Sequence, residues 1–243
     1  MPHGLPDDYN IVKPKWSYNL DDMAELAART GGSKLLDRLG DIVYTNTFVE
    51  GFKNIIRQGL PALGAVLLTG ESSIHGGVAI KLYSPAGAAN YADILLSIYR
   101  PLSAHVGYEW AFVAKEHLPE MAWYLYDYNA PTSYRYGVRW NRGTGGWDVL
   151  DATTGWTPFY AQAEIWINEL PWWRCKVVID ITSIQYAYIK VNDNQYDLSA
   201  YTPVAMGPIG IPHHDCVIGF ESDNLNDGTL LLDDINVTQN EPG

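Results

Sequence analysis

The sequence predicts an all-β domain, an antiparallel sandwich or barrel, carried behind a short N-terminal arm and helix. Three observations predict it. From Asp41 onward apolar residues recur with a period of two, the signature of strands with one buried face. The segments with this pattern are short, with Gly, Pro, Asn and Asp between them, as in antiparallel sandwiches and barrels and unlike βαβ units. The clearest segment is 172–181, where Trp173, Cys175, Val177, Ile179 and Ile181 alternate with a set that includes Arg174, Lys176 and Asp180.

Residues 1–19 carry Pro2, Gly4, Pro6 and Pro14, with Trp16 and Tyr18 interleaved, and read as an extended arm. Asn19 is placed to cap a helix over Leu20 to Thr30, with Asp21 and Asp22 in its first turn and Gly31-Gly32 beyond its end, in agreement with capping preferences and the helix dipole. Ser33 to Leu39 adds a turn or two with Leu35, Leu36 and Leu39 as its apolar side, stopped by Gly40. Residues 1–40 are therefore an appendage and 41–243 the domain.

Within that domain strands are expected near 42–49, 64–69, 78–84, 92–100, 107–115, 121–128, 133–141, 146–150, 162–168, 172–181, 184–191, 214–222 and 229–238. The pair 172–181 and 184–191 reads as a hairpin. A two-residue loop at Thr182-Ser183 would put Tyr186 and Tyr188 on the face of Val177 and Ile179, and a three-residue loop would put both on the other. Asp227-Gly228 sits where a tight hairpin turn needs residues that tolerate positive φ. Asp233 shares parity with Leu231, Ile235 and Val237 and is expected to point inward, where an unpaired carboxylate is costly. Capping of loop N–H groups is its first reading and a structural calcium its second.

The 243 residues, 47% of them hydrophobic, suffice for one sizeable core. No apolar run reaches the roughly 18 residues of a membrane span, so no membrane partner is expected. The start has neither the basic nor the apolar region of a secretory signal, which implies a protein that stays where it is made or leaves by lysis or assembly. Sixteen Lys and Arg against 28 Asp and Glu give a formal charge of −12, the wrong sign for holding nucleic acid. Cys175 and Cys216 fall in apolar strand patterns and read as buried, reduced thiols.

Asp41-Ile-Val-Tyr-Thr-Asn-Thr-Phe-Val-Glu-Gly51, Trp173-Arg-Cys-Lys-Val-Val-Ile-Asp180 running through Tyr186-Ala-Tyr-Ile-Lys-Val-Asn-Asp193, and Leu231-Leu-Asp-Asp-Ile-Asn-Val-Thr238 together resemble the concanavalin A-like (laminin-G-like) jelly roll. The resemblance implies a two-sheet jelly-roll sandwich over most of 41–238. It leaves function open, because that fold hosts lectin-like modules, glycosidases, lyases and viral coat parts. The arm and helix 5–40 followed by Gly-Asp-Ile-Val, with Thr-Gln-Asn-Glu-Pro at 238–242, are also similar to uncharacterised phage and prophage proteins.

Laminarinase-type glycosidases of this fold carry Glu-Ile-Asp-Ile-x-Glu, and Glu164-Ile-Trp-Ile-Asn-Glu169 is similar to it except that Trp166 replaces the central Asp. The resemblance would make Glu164 and Glu169 nucleophile and general acid. Loss of that Asp removes the group that tunes their charges, and their opposite parity needs a bulge to align them. An ordinary strand is the favoured reading. His213-His214-Asp215 has metal-ligand residue types, but neighbouring histidines on a strand face opposite ways. Asp223-Asn-Leu-Asn-Asp-Gly228 places Leu225 where a calcium loop needs oxygen. No Ser-His-Asp, Cys-His, G-x-S-x-G or phosphate-loop pattern is present, so no catalytic residue, no metal ligand and no cofactor is assigned.

The aromatic residues remain. Tyr134, Tyr136, Val138 and Trp140 alternate with Ser133, Arg135, Arg139 and Asn141 and read first as a core face; beyond Gly143-Thr-Gly-Gly146 come Trp147 and Trp156 on short polar segments. Flat rings beside Asn and Arg donors suit both sugar rings and protein interfaces. The leading reading is a non-enzymatic structural or decoration component of a phage particle, located in the virion. In it the arm residues Trp16, Tyr18, Leu35 and Leu36 reach a second copy or another virion protein. The alternative is a carbohydrate-binding module using Tyr134, Trp140, Trp147 or Trp156, and the third a glycosidase, active or degenerate, at Glu164 and Glu169.

Overall fold

The structure, a computed structural model, describes residues 40–48, 51–52, 55–60, 64–71, 73–74, 77–87, 90–115, 120–129, 131–161, 172–208, 210–221 and 226–242. The arm, the helix at 20–30, Trp16, Tyr18, Leu35 and Leu36 lie outside the described residues, as do Glu164 and Glu169. Among the described residues every regular element is a strand: β1 (Asp41–Asn46), β2 (Ile55–Leu60), β3 (Ala65–Thr69), β4 (Ala79–Ser84), β5 (Tyr91–Tyr99), β6 (His105–Lys115), β7 (Glu120–Tyr128), β8 (Ser133–Asn141), β9 (Gly146–Asp151), β10 (Gly155–Ala161), β11 (Trp173–Asp180), β12 (Gln185–Val191), β13 (Asn194–Asp197), β14 (Val204–Met206), β15 (His213–Glu221) and β16 (Gly228–Gln239).

They form two antiparallel sheets. The front sheet runs β10-β9-β8-β7-β15-β5-β2 with β14 on β8, and the back sheet runs β13-β12-β11-β6-β16-β4-β3 with β1 on β16. The alternation that predicts the sandwich also predicts its interior: Val177, Ile179, Ile235 and Val237 all belong to the core between the sheets. Trp110 from the back sheet stacks on Trp123 from the front, centroids 5.7 Å apart and planes within 4°. Cys175 and Cys216 are free and buried, as their patterns imply.

Four strands, β2, β10, β13 and β14, have too little alternation to be expected from sequence. Of these β10 contains Pro158, which removes a ladder donor. It stands at the sheet edge, and its register with β9 shifts between Pro158 and Tyr160.

The structure corrects three local expectations. Asp227-Gly228 closes no hairpin, because β15 pairs with β5 and β7 in the front sheet while β16 belongs to the back. Asp227 instead accepts hydrogen bonds from the Ala86 N–H and the Tyr83 hydroxyl, both at 2.8 Å. Gly228 packs under Phe220, whose ring a Cβ would meet at 2.3 Å. Second, a register shift in β11–β12 pairs Tyr186 with Ile179 but Tyr188 with Val178, so the two tyrosines take opposite faces. The turn before them spans Ile181–Ile184, with Ile184 at φ 58°, so neither loop length considered from the sequence applies. Third, Asp233 faces away from the core. A shift between Asp233 and Asn236, with Asp234 at φ 50°, flips parity so that Leu230, Leu232, Ile235 and Val237 point inward. The Asp233 carboxylate accepts from the Ile74 N–H and the Asp234 N–H, each at 2.9 Å, which is the loop-capping arrangement.

Candidate functional site

The outer face of the front sheet collects the side chains that can meet a ligand. On β7, Met121, Trp123 and Leu125 enter the core, so the opposite parity presents Tyr124, Tyr126 and Tyr128 outward, each half-buried. Their rings run down one strand, with centroids 6.4 Å apart from Tyr124 to Tyr126 and 6.1 Å, nearly parallel, from Tyr126 to Tyr128. On the neighbouring strand His213 closes on Tyr128 at 4.4 Å. Its sequence neighbour His214 points into the core, the opposition expected of adjacent strand residues.

Small residues open the sheet beside this column. Gly219 stands opposite Asp93 and Ala122 in the ladders, and a Cβ on it would fall 2.4 Å from the Asp93 Cβ. At Gly137 a Cβ would touch Tyr124 and Trp156, both at 3.2 Å, so the missing side chain lets those rings approach the backbone. Trp156 meets Tyr124 edge-on at 5.7 Å and carries the Arg139 guanidinium 4.5 Å above its ring. Arg139 also donates to Asp148 at 2.9 Å and Glu120 at 3.1 Å.

Around Gly219 and Ala122 lies a pocket of about 220 Å³, walled by Tyr91, Tyr124, Asp93, Glu120 and Glu221. Burial pushes the Asp93 carboxyl up to about 6. Burial also raises Glu120, against the pull of Arg139 and with Glu221 and Asp148 adding like charge, and it pushes the Tyr124 hydroxyl up to about 12. The pocket thus concentrates acids in an environment that disfavours their charge.

Beneath this face a polar chain joins the two sheets. Tyr108 of β6 bonds His214 Nδ1, His214 Nε2 lies 3.1 Å from Asp127 Oδ1, and Arg100 reaches both Asp127 oxygens at 2.7 and 3.3 Å and the Ile181 carbonyl at 3.2 Å. Burial pushes the Asp127 carboxyl up, but the bonds from His214 and Arg100 outweigh it and leave it below its usual range. Asp127 is therefore an acceptor only, so His214 Nε2 donates to it and Nδ1 accepts from Tyr108. Tyr186 makes a second link: its hydroxyl accepts from the Gly137 N–H and donates to the Leu150 carbonyl, both at 2.8 Å.

Of the four aromatic residues the sequence singles out, the structure puts one on this face. Trp156 is there. Trp140 and Trp147 are 1% and 0% exposed in the core, and Tyr134, of the same parity on β8, packs against the core from its margin. This corrects the expectation for Trp140 and Trp147: the parity that makes 134–140 a core face also removes Trp140 from solvent, and Trp147 pairs with it on β9. Tyr124, Tyr126, Tyr128, Asp93 and Glu120 are not apparent from the sequence. A signal exists in Trp123-Tyr-Leu-Tyr-Asp-Tyr128, but both of its faces are aromatic or apolar. Among the described residues no three His, Cys, Asp or Glu side chains stand close enough to hold a metal ion.

No family model matches the chain, and no curated protein does. Among solved structures it is similar to a carbohydrate esterase of the Shiga toxin-encoding bacteriophage phi24B, with TM-score 0.57 and 13% identity over 83% of this chain and 100% of that one. It is similar also to the alginate lyase vAL-1 from Chlorella virus, with TM-score 0.50 and 10% identity over 82% and 100%. A carbohydrate-binding module of the β-sandwich superfamily stands at TM-score 0.48 and 11% identity, over 83% of this chain and 64% of its own. The first two likenesses establish the sandwich fold, which does not by itself fix a function.

Proposed function

We propose that the outer face of the front sheet binds a glycan chain, the alternative the sequence holds beside the particle-component reading. The observation that carries it is the column Tyr124, Tyr126 and Tyr128, three half-exposed rings at successive outward positions with a pocket at one end. Four strand residues span about 13 Å, which makes the column an elongated apolar track. Sugar rings offer apolar faces to such rings and hydroxyls to polar neighbours, here Arg139, Glu120 and Asp93. The phage esterase and the viral lyase act on carbohydrates according to their names, which agrees with the reading, though the tyrosine column and not the fold supports it. The particle-component reading rests on residues 1–40, and the glycosidase reading on Glu164 and Glu169, all outside the described part except Gly40.

Calorimetric titration with panels of soluble oligosaccharides tests this reading. Tyr126→Ala and Tyr128→Ala should each weaken binding about tenfold, equivalent to about 1.4 kcal/mol, with an unchanged β spectrum. Variants that bind every bound glycan as tightly as the parent would refute it.

A further inference from the structure

We propose that the pocket at the Tyr124 end of the column is a subsite for a sugar bearing a free, protonated amino group, so that the preferred ligand is a basic amino-sugar chain. The proposal rests on the glycan reading and specifies its chemistry.

The first ground is the balance of charge. Three carboxylates from three strands, Asp93, Glu120 and Glu221, wall one pocket. Arg139 pairs with Glu120, but the same guanidinium serves Asp148 and covers Trp156. Among the described residues Asp93 Oδ1 is buried with no hydrogen-bond partner. The pocket therefore holds more negative charge than its own residues neutralise.

The second ground is shape. The floor is Gly219 and Ala122, two sides are Tyr91 and Tyr124, and the volume is about 220 Å³. That space takes a ring with its substituents, whereas the carboxylates form no three-ligand set for a bare metal ion. An ammonium on a sugar brings three donors to the acidic wall and a cation to the tyrosine faces. It also relieves the cost of ionised carboxylates in a half-buried site, which an uncharged sugar leaves in place. A uronate brings like charge to the same wall and is repelled. The chain's formal charge of −12 acts in the same direction at long range.

The test compares three oligomers of equal length at low salt and a pH at which the amine is protonated: β-linked glucosamine, its N-acetylated counterpart and a uronate. The glucosamine oligomer should bind at least tenfold tighter than the acetylated one, the uronate should not bind, and the preference should shrink as salt is added. The Asp93→Asn, Glu120→Gln double variant should bind the amine and acetylated oligomers equally. If the acetylated or uronate oligomer binds as well as the amine, while Tyr126→Ala weakens it, the amino-sugar assignment falls and the glycan reading stands. If none of the three binds, the amino-sugar assignment falls, and the glycan reading falls with it only if the wider oligosaccharide panel is silent as well. Retention of the amine preference by the double variant also overturns the assignment to these carboxylates.

Discussion

His214 Nε2 and Asp127 Oδ1 meet at 3.1 Å in the closed space between the sheets, with side chains 0% and 1% exposed. Behind that contact stand Tyr108 on one side and Arg100 on the other. A back-sheet hydroxyl is thereby joined to a front-sheet carboxylate through one imidazole.

This chain makes the fold sensitive to acid. Burial holds the His214 imidazole below its ordinary value, so the unfolded chain takes up a proton there before the folded one does, and stability falls as pH drops below about 6.5. Asp127, held low by His214 and Arg100, contributes stability that is present above the unfolded carboxylate value and lost as pH falls through the folded one. In the Asp93→Asn, Glu120→Gln background, which removes the two carboxyls whose raised values act in the opposite sense, thermal melts should therefore show a melting temperature that declines from pH 7 to pH 4. Asp127→Asn should cost about 1–3 kcal/mol at pH 7, since it leaves the part-buried Arg100 guanidinium without its counter-charge and the His214 N–H with a weaker acceptor. A flat pH profile in that background would contradict this assignment.

Asp93 should behave in the opposite sense. Burial raises its folded value to about 6, so the folded state retains a proton that the unfolded chain releases near 4, and stability declines as pH rises across that interval. Asp93→Asn is expected to raise the melting temperature at pH 8 and to leave it unchanged at pH 3. A variant less stable than the parent at pH 8 would show that the carboxylate is needed by the fold and not by a ligand.

Gly219→Ala probes the floor of the pocket. The added Cβ would fall 2.4 Å from the Asp93 Cβ and 2.6 Å from the Ala92 carbonyl oxygen, and the second is backbone, which cannot step aside. Denaturant titration should show a loss of about 1–3 kcal/mol, together with loss of glycan affinity, because Asp93 must leave its place over the floor.

The thiols should be silent. Burial raises Cys175 well above its usual range and Cys216 to about 12, with Trp123 donating to the Cys216 sulfur at 3.2 Å. Since the thiolate is the reactive form, an aromatic disulfide reagent should label neither cysteine in the native protein and both after denaturation. Prompt labelling of either would contradict the burial described.

The sequence by itself determined the all-β class and the inward faces of its clearest strands. Cys175, Val177 and Ile179 alternate with charged or outward neighbours, and a period of two leaves one choice of buried face. It also determined that His213 and His214 cannot share a ligand, by the same pleat. What it could not determine begins where the pleat is interrupted. Asp233 and Ile235 share parity on paper, yet a left-handed Asp234 in the bulge turns one outward and the other inward. Tyr186 and Tyr188 are separated in the same manner, because a bulge is chosen by the partner strand's register and leaves no local mark. The tyrosine column is the other case. With Trp123 and Leu125 on one parity of β7 and Tyr124, Tyr126 and Tyr128 on the other, alternation alone does not say which side is core. Only the tertiary structure decided it, by setting β6 and Trp110 against one face and leaving the other to solvent, because burial is a property of what a strand packs against.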